Sequence, residues 1–410
     1  MRTPLLRYLL LTIAIFLYTA LASQTTIEAL RAKMYAKTLS ATQSIQSIER
    51  KRDSLYYNPK SNIEKLSLEE LGETISAKAK IYSFNGEVIV SQNNRILSYS
   101  SLGYANPQNR ERLEMGYRFQ LASVSKQFTA VAILELVAKG KLMLEDSFSQ
   151  YFPAFKFHAI TIEHLLTHRA GLPDYFWYLE NTWKSDMGPK NEDIIPLINR
   201  YISATDFVPG TESVYSNTGY VLLALLVEHI TGVPFRDYMS KQYFKPLNMT
   251  KTGFVRGGLS LTGYEIDAIS KLYIPIQPSL SNAILGDKGI YTTAWDLNQW
   301  FIALKRGRIL SQKWVDLMFY PEDFEQTAKS FGMGFKLEWS KFGLLKVYHN
   351  GLWEGFRNGI AYFPKKDLQI IVLSHTSVKA KNIFEEQVHE AALKAVQKLP
   401  PIKPKEIPGR

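Results

Sequence analysis

The sequence predicts a mixed α/β protein of the α+β class, with a central antiparallel sheet flanked by helices and an inserted helical subdomain. Strand-like runs lie near both ends of the globular part, and long apolar helical runs lie between them. Strands from the two ends can bury their apolar faces by meeting in one sheet, with the intervening helices as a covering layer and an insertion. At 410 residues, 46% hydrophobic and 21% charged, the chain can bury a large core.

The strand-like runs are short, apolar and bounded by turn-forming residues. Two are joined by the turn at 91–94, and the last two are joined by the turn at 364–367. In chain order, these runs are 84–90, 95–99, 344–348, 359–363 and 368–373.

Three segments have helical character. Residues 128–137 are apolar nearly all round, which predicts a buried helix, and 221–230 show a similar pattern. An amphipathic segment at 383–399 closes the globular part, and a proline-rich tail at 399–410 follows it.

The N-terminus has the pattern of an export signal. Arg2 and Arg7 precede an apolar run at 8–19, and small residues then predict cleavage after Ala22. The run is shorter than the roughly 20 residues of a membrane-spanning helix. We expect residues 1–22 to be a signal peptide and the protein to be periplasmic or in the cell envelope. Left uncleaved, the segment would anchor the chain to a membrane.

Residues 23–79 form a predicted helical N-terminal extension, rich in Ala, Lys, Gln, Glu and Ser. The globular domain is expected at 80–398, between this extension and the tail.

Composition excludes several function classes. The chain has no cysteine, so disulfides, thiol catalysis and cysteine-based zinc sites are excluded. Its formal charge of +11 is scattered, without the basic clusters interleaved with aromatic residues that bind nucleic acid. We therefore expect no nucleic-acid partner.

A serine and a lysine stand at the head of the first buried helix. Ser123 and Lys126 are three residues apart, so they share a helical face. A serine hydroxyl needs a base to become a good nucleophile, and a desolvated lysine has a lowered pKa that allows it to serve. The alternative from spacing alone is a capping serine followed by a solvated lysine.

A second candidate group precedes the second buried helix. Tyr215 and Asn217 follow a Pro-Gly turn. A tyrosine near a lysine can exist partly as phenolate and carry a proton to a leaving group, while the asparagine can hold a substrate amide. The Tyr-x-Asn pattern also begins at Tyr56, Tyr104 and Tyr348, but only Tyr215 opens onto an apolar helix.

Two segments are candidates for the third group of site residues, after Ser123 with Lys126 and Tyr215 with Asn217. A Lys-Thr-Gly sequence begins at Lys251 in a loop, whereas His349 stands at the end of a strand-like run. We favour His349, because Gly351 would let the strand backbone approach a substrate closely. The N–H groups of Leu352 and Ser123 would then form an oxyanion hole.

No metal or cofactor is predicted. His164 and His168 are four apart, as in some metal sites, but the sequence places no third ligand beside them. The chain also lacks the Gly-x-Ser-x-Gly motif of α/β-hydrolases.

Taken together, these motifs resemble the serine β-lactamase and penicillin-binding protein superfamily, in particular its class C β-lactamase, D-alanyl-D-alanine carboxypeptidase and esterase branch. The resemblance covers roughly residues 80–395. It implies a β-lactamase/transpeptidase-like fold and assigns the domain at 80–398 as a serine hydrolase. The matching segments are 119–130, 140–146, 160–173, 209–220 and 286–297.

The resemblance implies an acyl-enzyme mechanism. Ser123 would attack a carbonyl, and Lys126 and Tyr215 would transfer protons. Asn217 and His349 would orient a small-molecule or peptide acyl substrate, without a cofactor.

The sequence departs from the lactamase pattern by carrying His349 in place of lysine and Asn350 in place of threonine. This favours hydrolysis of another amide or an ester, such as a D-amino-acid cell-wall peptide. The alternatives are a true β-lactamase, a non-catalytic sensor of wall peptides or penicillins, and a scaffold tethered through the N-terminal extension.

Overall fold

The computed structural model describes residues 55–267, 269–320, 328–340, 343–377 and 381–400. The chain divides into two compact units, Met1–Asn58 and Pro59–Arg410. The first is described only at residues 55–58, so the predicted signal peptide, most of the extension and most of the tail lie outside the described residues. The second unit contains all the elements that follow.

The centre of the second unit is a seven-stranded sheet in the order β2-β1-β13-β12-β11-β10-β9, with every neighbouring pair antiparallel. Strands from both ends of the chain meet where β1 pairs with β13, which confirms the predicted architecture. The strands are β1 Gly86–Gln92, β2 Arg95–Leu102, β9 Lys329–Gly332, β10 Phe335–Ser340, β11 Gly343–Trp353, β12 Phe356–Phe363 and β13 Leu368–Ser374, and the short strands outside the sheet are β3 Tyr104–Asn106, β4 Glu111–Arg112, β5 Phe119–Gln120, β6 Tyr264–Ile266, β7 Tyr273–Pro275 and β8 Tyr291–Thr292.

The hairpin between β1 and β2 turns at Asn93 and Asn94, whose φ angles are +51° and +64°. Two consecutive positive φ values are typical of the tight hairpin turns that match strand twist, and asparagine tolerates them well. This explains why the turn-forming cluster at 91–94 marks the hairpin.

The described helices cover the sheet and form the inserted region. Short 3₁₀ turns occur at Ala122–Ser125, Asn191–Asp193, Leu280–Ala283 and Pro364–Lys366, and a π-helical turn at Ser240–Phe244. The α-helices are α1 Asn62–Ile81, α2 Lys126–Ala138, α3 Phe148–Tyr151, α4 Ile162–Leu166, α5 Tyr175–Thr182, α6 Ile194–Tyr201, α7 Asn217–Thr231, α8 Phe235–Met239, α9 Ala294–Lys305, α10 Gln312–Met318 and α11 Lys381–Gln397.

Helices pack on both faces of the sheet. On one face, the ring of Phe384 in α11 stacks on Phe84 at 4.2 Å, and the Glu385 carboxylate lies against Gly359 of β12. On the other face, Asn298 of α9 accepts a hydrogen bond from Ser91 of β1 at 2.8 Å. Successive side chains of a strand point to opposite faces, and the two helical layers bury every residue of the central strands β1 and β13.

Helix α1 belongs to the same compact unit as the sheet. It packs against α11 and β2, and the Ser67 hydroxyl donates to the main-chain oxygen of Ala395 at 3.2 Å. The compact unit begins at Pro59. The compact unit therefore includes α1, a segment that the sequence analysis assigned to the N-terminal extension at 23–79.

The two predicted buried helices are present as α2 and α7, and they contact each other. Phe128 of α2 stacks on the buried Trp300 of α9 at 4.1 Å, which joins this layer to the sheet. Within the described residues, no single helix is long and apolar enough to cross a membrane, although the pair Asn217–Thr231 and Phe235–Phe244, bent by 78°, qualifies by length and composition alone.

Candidate active site

Ser123 lies in the 3₁₀ turn that precedes α2, and Lys126 is the first residue of the helix. The sequence analysis placed both at a helix head; the tighter turn repeats every three residues and brings their side chains into line. Ala122 has a φ of +52°, a conformation that non-glycine residues rarely adopt. A strained backbone position thus stands directly before the candidate nucleophile.

Lys126 is fully buried, and its ammonium has three hydrogen-bond acceptors. Its Nζ donates to Ser123 Oγ at 3.2 Å, to Asn217 Oδ1 at 2.7 Å and to the main-chain oxygen of Asp287 at 3.0 Å. The alternative of a solvated lysine is therefore wrong. An ammonium has three donors, so these contacts satisfy it completely.

Burial lowers the pKa of Lys126 from 10.5 to about 8, and the carboxylates of Asp287 and Asp174 oppose this decrease. Desolvation disfavours the charged form of an amine. At neutral pH, Lys126 would then be uncharged, and able to accept a proton, in roughly one protein molecule in ten.

Asn217 begins α7, and a carboxylate fixes its amide group. Its Nδ2 donates to Asp174 Oδ2 at 2.6 Å, which leaves its Oδ1 directed at Lys126. Asp174 is itself the N-cap of α5 and accepts a hydrogen bond from the main-chain N–H of Phe176 at 3.1 Å. This chain of contacts links two helices of the inserted region to the lysine.

Tyr215 lies against the same lysine. Lys126 Nζ lies 5.0 Å from the centre of its ring, and the His168 ring packs against it at 4.5 Å. Burial raises the pKa of Tyr215 well above its usual range, which favours a neutral phenol rather than the partial phenolate that the sequence analysis considered. Ser123 opposes this rise in pKa, although no hydrogen bond of good geometry joins the two hydroxyls.

His349 lies within β11, which continues to Trp353. The ring is 6.0 Å from that of Tyr215, and its Nδ1 bonds the main-chain oxygen of Asn350 at 2.8 Å. Burial, with Lys126 nearby, lowers the pKa of His349 to about 3, so the ring is neutral. With the proton on Nδ1, the buried Nε2 is an acceptor that has no partner.

The end of β11 packs against the nucleophile turn. A Cβ on Gly351 would lie 2.2 Å from the main-chain oxygen of Leu121 and 3.2 Å from the Cβ of Ala122. Only glycine allows this approach. Leu352 follows, opposite Arg357 of β12, so the candidate oxyanion strand lies beside the Ser123 turn.

The sequence motifs did not identify several groups that lie around the site. Lys336 of β10 has its Nζ 5.4 Å from the Tyr215 ring, but β10 was not predicted as a strand. Asp287 and Lys288 lie in the glycine-rich turn that the resemblance covered, yet no role was assigned to them. Asp174 and Tyr175 were also not identified, and His168, which the sequence analysis considered only as a metal ligand, packs against Tyr215.

The motifs that the sequence analysis set aside have other roles. Lys251 Nζ contacts the main-chain oxygen of Gly116 at 3.5 Å, away from Ser123. His164 caps the N-terminus of α4, whereas His168 lies beyond this helix with a φ of +60°. Among the described residues, no three His, Cys, Asp or Glu side chains form a group that could hold a metal ion.

The site contains a partly exposed serine beside a buried lysine at a strained turn, together with a neutral phenol and a strand backbone. These are the groups that a serine acyl-transfer enzyme requires. The family model described as Beta-lactamase matches residues 75–393. The chain belongs to this β-lactamase family. This confirms the resemblance inferred from the motifs and supports serine hydrolase activity at the level of the superfamily.

Individual relatives agree with the family assignment. A penicillin-binding protein of Bacillus subtilis is 30% identical over 359 residues, which cover 84% of this chain and 77% of the relative. The crystal structure of a penicillin-binding protein from Bacillus halodurans has a TM-score of 0.68 at 29% identity, with 78% and 98% of the two chains covered. A D-amino acid amidase from Ochrobactrum anthropi shares the fold, with a TM-score of 0.68 at 22% identity over 79% and 99% of the chains.

Proposed function

We propose that this protein is an exported serine hydrolase that forms an acyl-enzyme on Ser123 and cleaves an amide or ester, such as a D-amino-acid peptide of the cell wall. The observation that carries the proposal is the 3.2 Å contact between the partly exposed Ser123 Oγ and Nζ of the buried Lys126. A general base must reach the proton that it removes, and this distance meets that requirement.

In the first half of the reaction, neutral Lys126 takes the Ser123 proton as Oγ attacks the substrate carbonyl. The Tyr215 phenol donates a proton to the leaving amine or alcohol and recovers one from the Lys126 ammonium. The carbonyl–leaving-group bond breaks, and the acyl group remains on Oγ. In the second half, water attacks this ester, releases the carboxylic acid and restores the Ser123 hydroxyl.

The other predicted site residues would bind the substrate. The N–H groups of Ser123 and Leu352 would stabilise the oxyanion, and Gly351 keeps this strand close to the nucleophile turn. Asn217 would hold a substrate amide beside Lys126. The unpartnered Nε2 of neutral His349 would accept a hydrogen bond from a substrate N–H or O–H.

The names of similar proteins support this substrate class. A penicillin-binding relative and a D-amino acid amidase of the same fold are both consistent with amide substrates that carry a D-residue. A second candidate function, binding without catalysis, agrees less well with the site, because a sensor has no need of a lysine whose pKa is held near 8.

The nucleophile is tested by hydrolysis of a generic acyl ester and by fluorescent-penicillin labelling. Ser123→Ala should abolish both. Ser125→Ala is the matched control: Ser125 is a buried serine of the same turn whose Oγ accepts from the Ile290 main-chain N–H at 3.4 Å. Labelling that persists in Ser123→Ala would refute the proposal.

A substrate panel separates the alternatives. We expect turnover of esters or D-Ala-D-Ala peptides and little turnover of nitrocefin. Rapid nitrocefin hydrolysis would instead identify a true β-lactamase. Measurable peptide binding without acylation by any of the three donors would identify a sensor.

A further inference from the structure

A second lysine is buried beside the site. The side chain of Lys288 is 3% exposed, and its Nζ donates to the Tyr175 hydroxyl at 2.7 Å. The nearest carboxylate oxygen is Asp287 Oδ2, at 3.6 Å. A buried ammonium is costly unless other groups compensate for the lost water, so this position calls for an explanation.

Aromatic rings supply much of that compensation. Lys288 Nζ lies 4.5 Å from the centre of the Phe176 ring, 5.0 Å from that of Trp353 and 5.4 Å from that of Tyr175. The Phe176 and Trp353 rings stack on each other at 5.0 Å. The negative faces of such rings attract a cation in a desolvated site. These contacts allow Lys288 to keep its charge while it is closed off from solvent.

Asp287 links the two buried lysines. Its main-chain oxygen accepts a hydrogen bond from Lys126, whereas its side chain faces Lys288 and accepts one from Tyr175 at 3.2 Å. A carboxylate near Lys126 favours the protonated form, and a cation at the same place disfavours it. Asp287 and Lys288 therefore act on Lys126 in opposite directions.

The charges around Lys126 come from several elements. Burial lowers the pKa values of the histidines that face the lysine and raises those of the tyrosines, so both types are neutral near pH 7. The acids Asp174 and Asp287 favour the proton on Lys126. Lys126 lowers the pKa values of Lys288 and Lys336, and because repulsion between like charges is mutual, both lysines disfavour the proton on Lys126. The neutral groups are His168, His349, Tyr175, Tyr215 and Tyr220.

We propose that Lys288 is a positioning residue for catalysis. Its positive charge offsets the negative charge of the Asp287 carboxylate, so that the buried Lys126 can lose its proton and act as the base. Without Lys288, the charges of the Asp174 and Asp287 carboxylates would act on Lys126 against the single charge of Lys336. The inference rests on the proposed function, because only a lysine that acts as a base needs to be free of its proton. The lowered pKa of Lys288, caused first by burial and also by Lys126, agrees with this mutual repulsion.

The test is the pH dependence of kcat/KM for an acyl ester. Lys288→Met keeps the chain length and removes the charge. The midpoint of the acid limb should rise by about one pH unit, with about a tenfold loss below it and an unchanged plateau at high pH. Asp287→Asn should lower the midpoint, and the double variant should return close to the wild-type value.

The control is Lys346→Met, which removes a partly buried lysine of β11 that pairs with Glu338 at 2.7 Å. Its midpoint should not move. An equal loss of activity at every pH in Lys288→Met, or an unmoved midpoint, would show that Lys288 only supports the fold. If Lys288→Met does not fold, an unmoved midpoint in Asp287→Asn would overturn the proposal in the same way.

A direct titration separates this inference from the proposed function. The Nζ resonance of Lys126 in protein labelled with ¹⁵N-lysine reports its pKa without any substrate. A higher pKa in Lys288→Met supports the inference even if no ester is cleaved. If Ser123-dependent turnover is present but the Lys126 titration does not shift, only the inference fails.

Discussion

The side-chain oxygen of Asn217 lies 2.7 Å from Lys126 Nζ, closer than Ser123 Oγ at 3.2 Å. The shorter hydrogen bond of the lysine is therefore the one to the Asn217 amide rather than the one to the nucleophile. Asp174 in turn fixes this amide. In this arrangement Asn217 sets the position from which Lys126 reaches the serine.

Asn217→Ala should lower kcat/KM by about 10- to 100-fold, because a hydrogen bond to a charged group contributes about 1.5–3 kcal/mol. The measurement is steady-state hydrolysis of an acyl ester. If the loss falls entirely on KM, Asn217 binds substrate without positioning the lysine.

The wild-type pH profile should follow the titration of Lys126. The base must be uncharged, so kcat/KM should rise with pH and level off above the lysine pKa of about 8. No limb should come from His349, whose pKa of about 3 keeps it neutral through this range. An acid limb centred near pH 6.5 would instead point to a histidine base.

Tyr215→Phe should lower the activity without lowering the stability of the fold. The ring packing against His168 is kept, while a buried hydroxyl without a hydrogen-bond partner is removed. We expect acylation of an amide substrate to fall by about 10²- to 10⁴-fold, the range of general acid–base catalysis. Thermal unfolding should show an unchanged or higher Tm, because an unsatisfied buried group costs stability. A lower Tm would mean that the hydroxyl has a structural partner.

Two glycine substitutions form a matched pair. Gly351→Ala would place a Cβ 2.2 Å from the main-chain oxygen of Leu121, so β11 must move away from the Ser123 turn. We expect lost acylation and a destabilisation of about 1–3 kcal/mol. Gly72 lies in α1 with open space around it, so Gly72→Ala should stabilise the fold by about 0.5–1 kcal/mol and leave the activity unchanged. Denaturant unfolding and ester hydrolysis of both variants check this, and full acylation by Gly351→Ala would contradict the packing.

Glu87 of β1 should make stability depend on pH. It accepts hydrogen bonds from Tyr99 and Ser101, but burial raises its pKa from 4.5 to about 7. Between these values the folded state keeps a proton that the unfolded chain has lost, so raising the pH destabilises the fold.

Glu87→Gln removes this titration. It should stabilise the protein by about 2–3 kcal/mol at pH 8 and have little effect at pH 5. Urea unfolding of both proteins at the two pH values provides the measurement. An equal change at both would show that the carboxyl does not titrate in this range.

The sequence predicted the parts of the fold that carry strong local patterns. Alternating or continuous apolar runs mark β1 and β13, and the helix α2, which is apolar nearly all round, differs clearly from the neighbouring sequence. Strands β9 and β10 were missed, because they are short, contain charged residues and meet at Gly332 and Gly334. Their place is set by pairing with β11 rather than by their own composition.

For the site, the motifs identified the residues that share a local element or a family pattern. The groups that tune Lys126 were not predictable in this way. Asp174, Asp287 and Lys336 come from three separate segments and meet only through tertiary packing. Sequence spacing predicts neighbours along one helix or strand, and it contains no information about charges that the fold brings together.

The central claim is that Ser123 carries the acyl group. Intact-mass spectrometry after incubation with a penicillin, followed by peptide mapping, tests it directly. We predict one adduct of the mass of the penicillin on the peptide that contains Ser123, absent in Ser123→Ala and retained in Ser125→Ala. An adduct on any other residue, or an equal adduct in Ser123→Ala, would contradict the account.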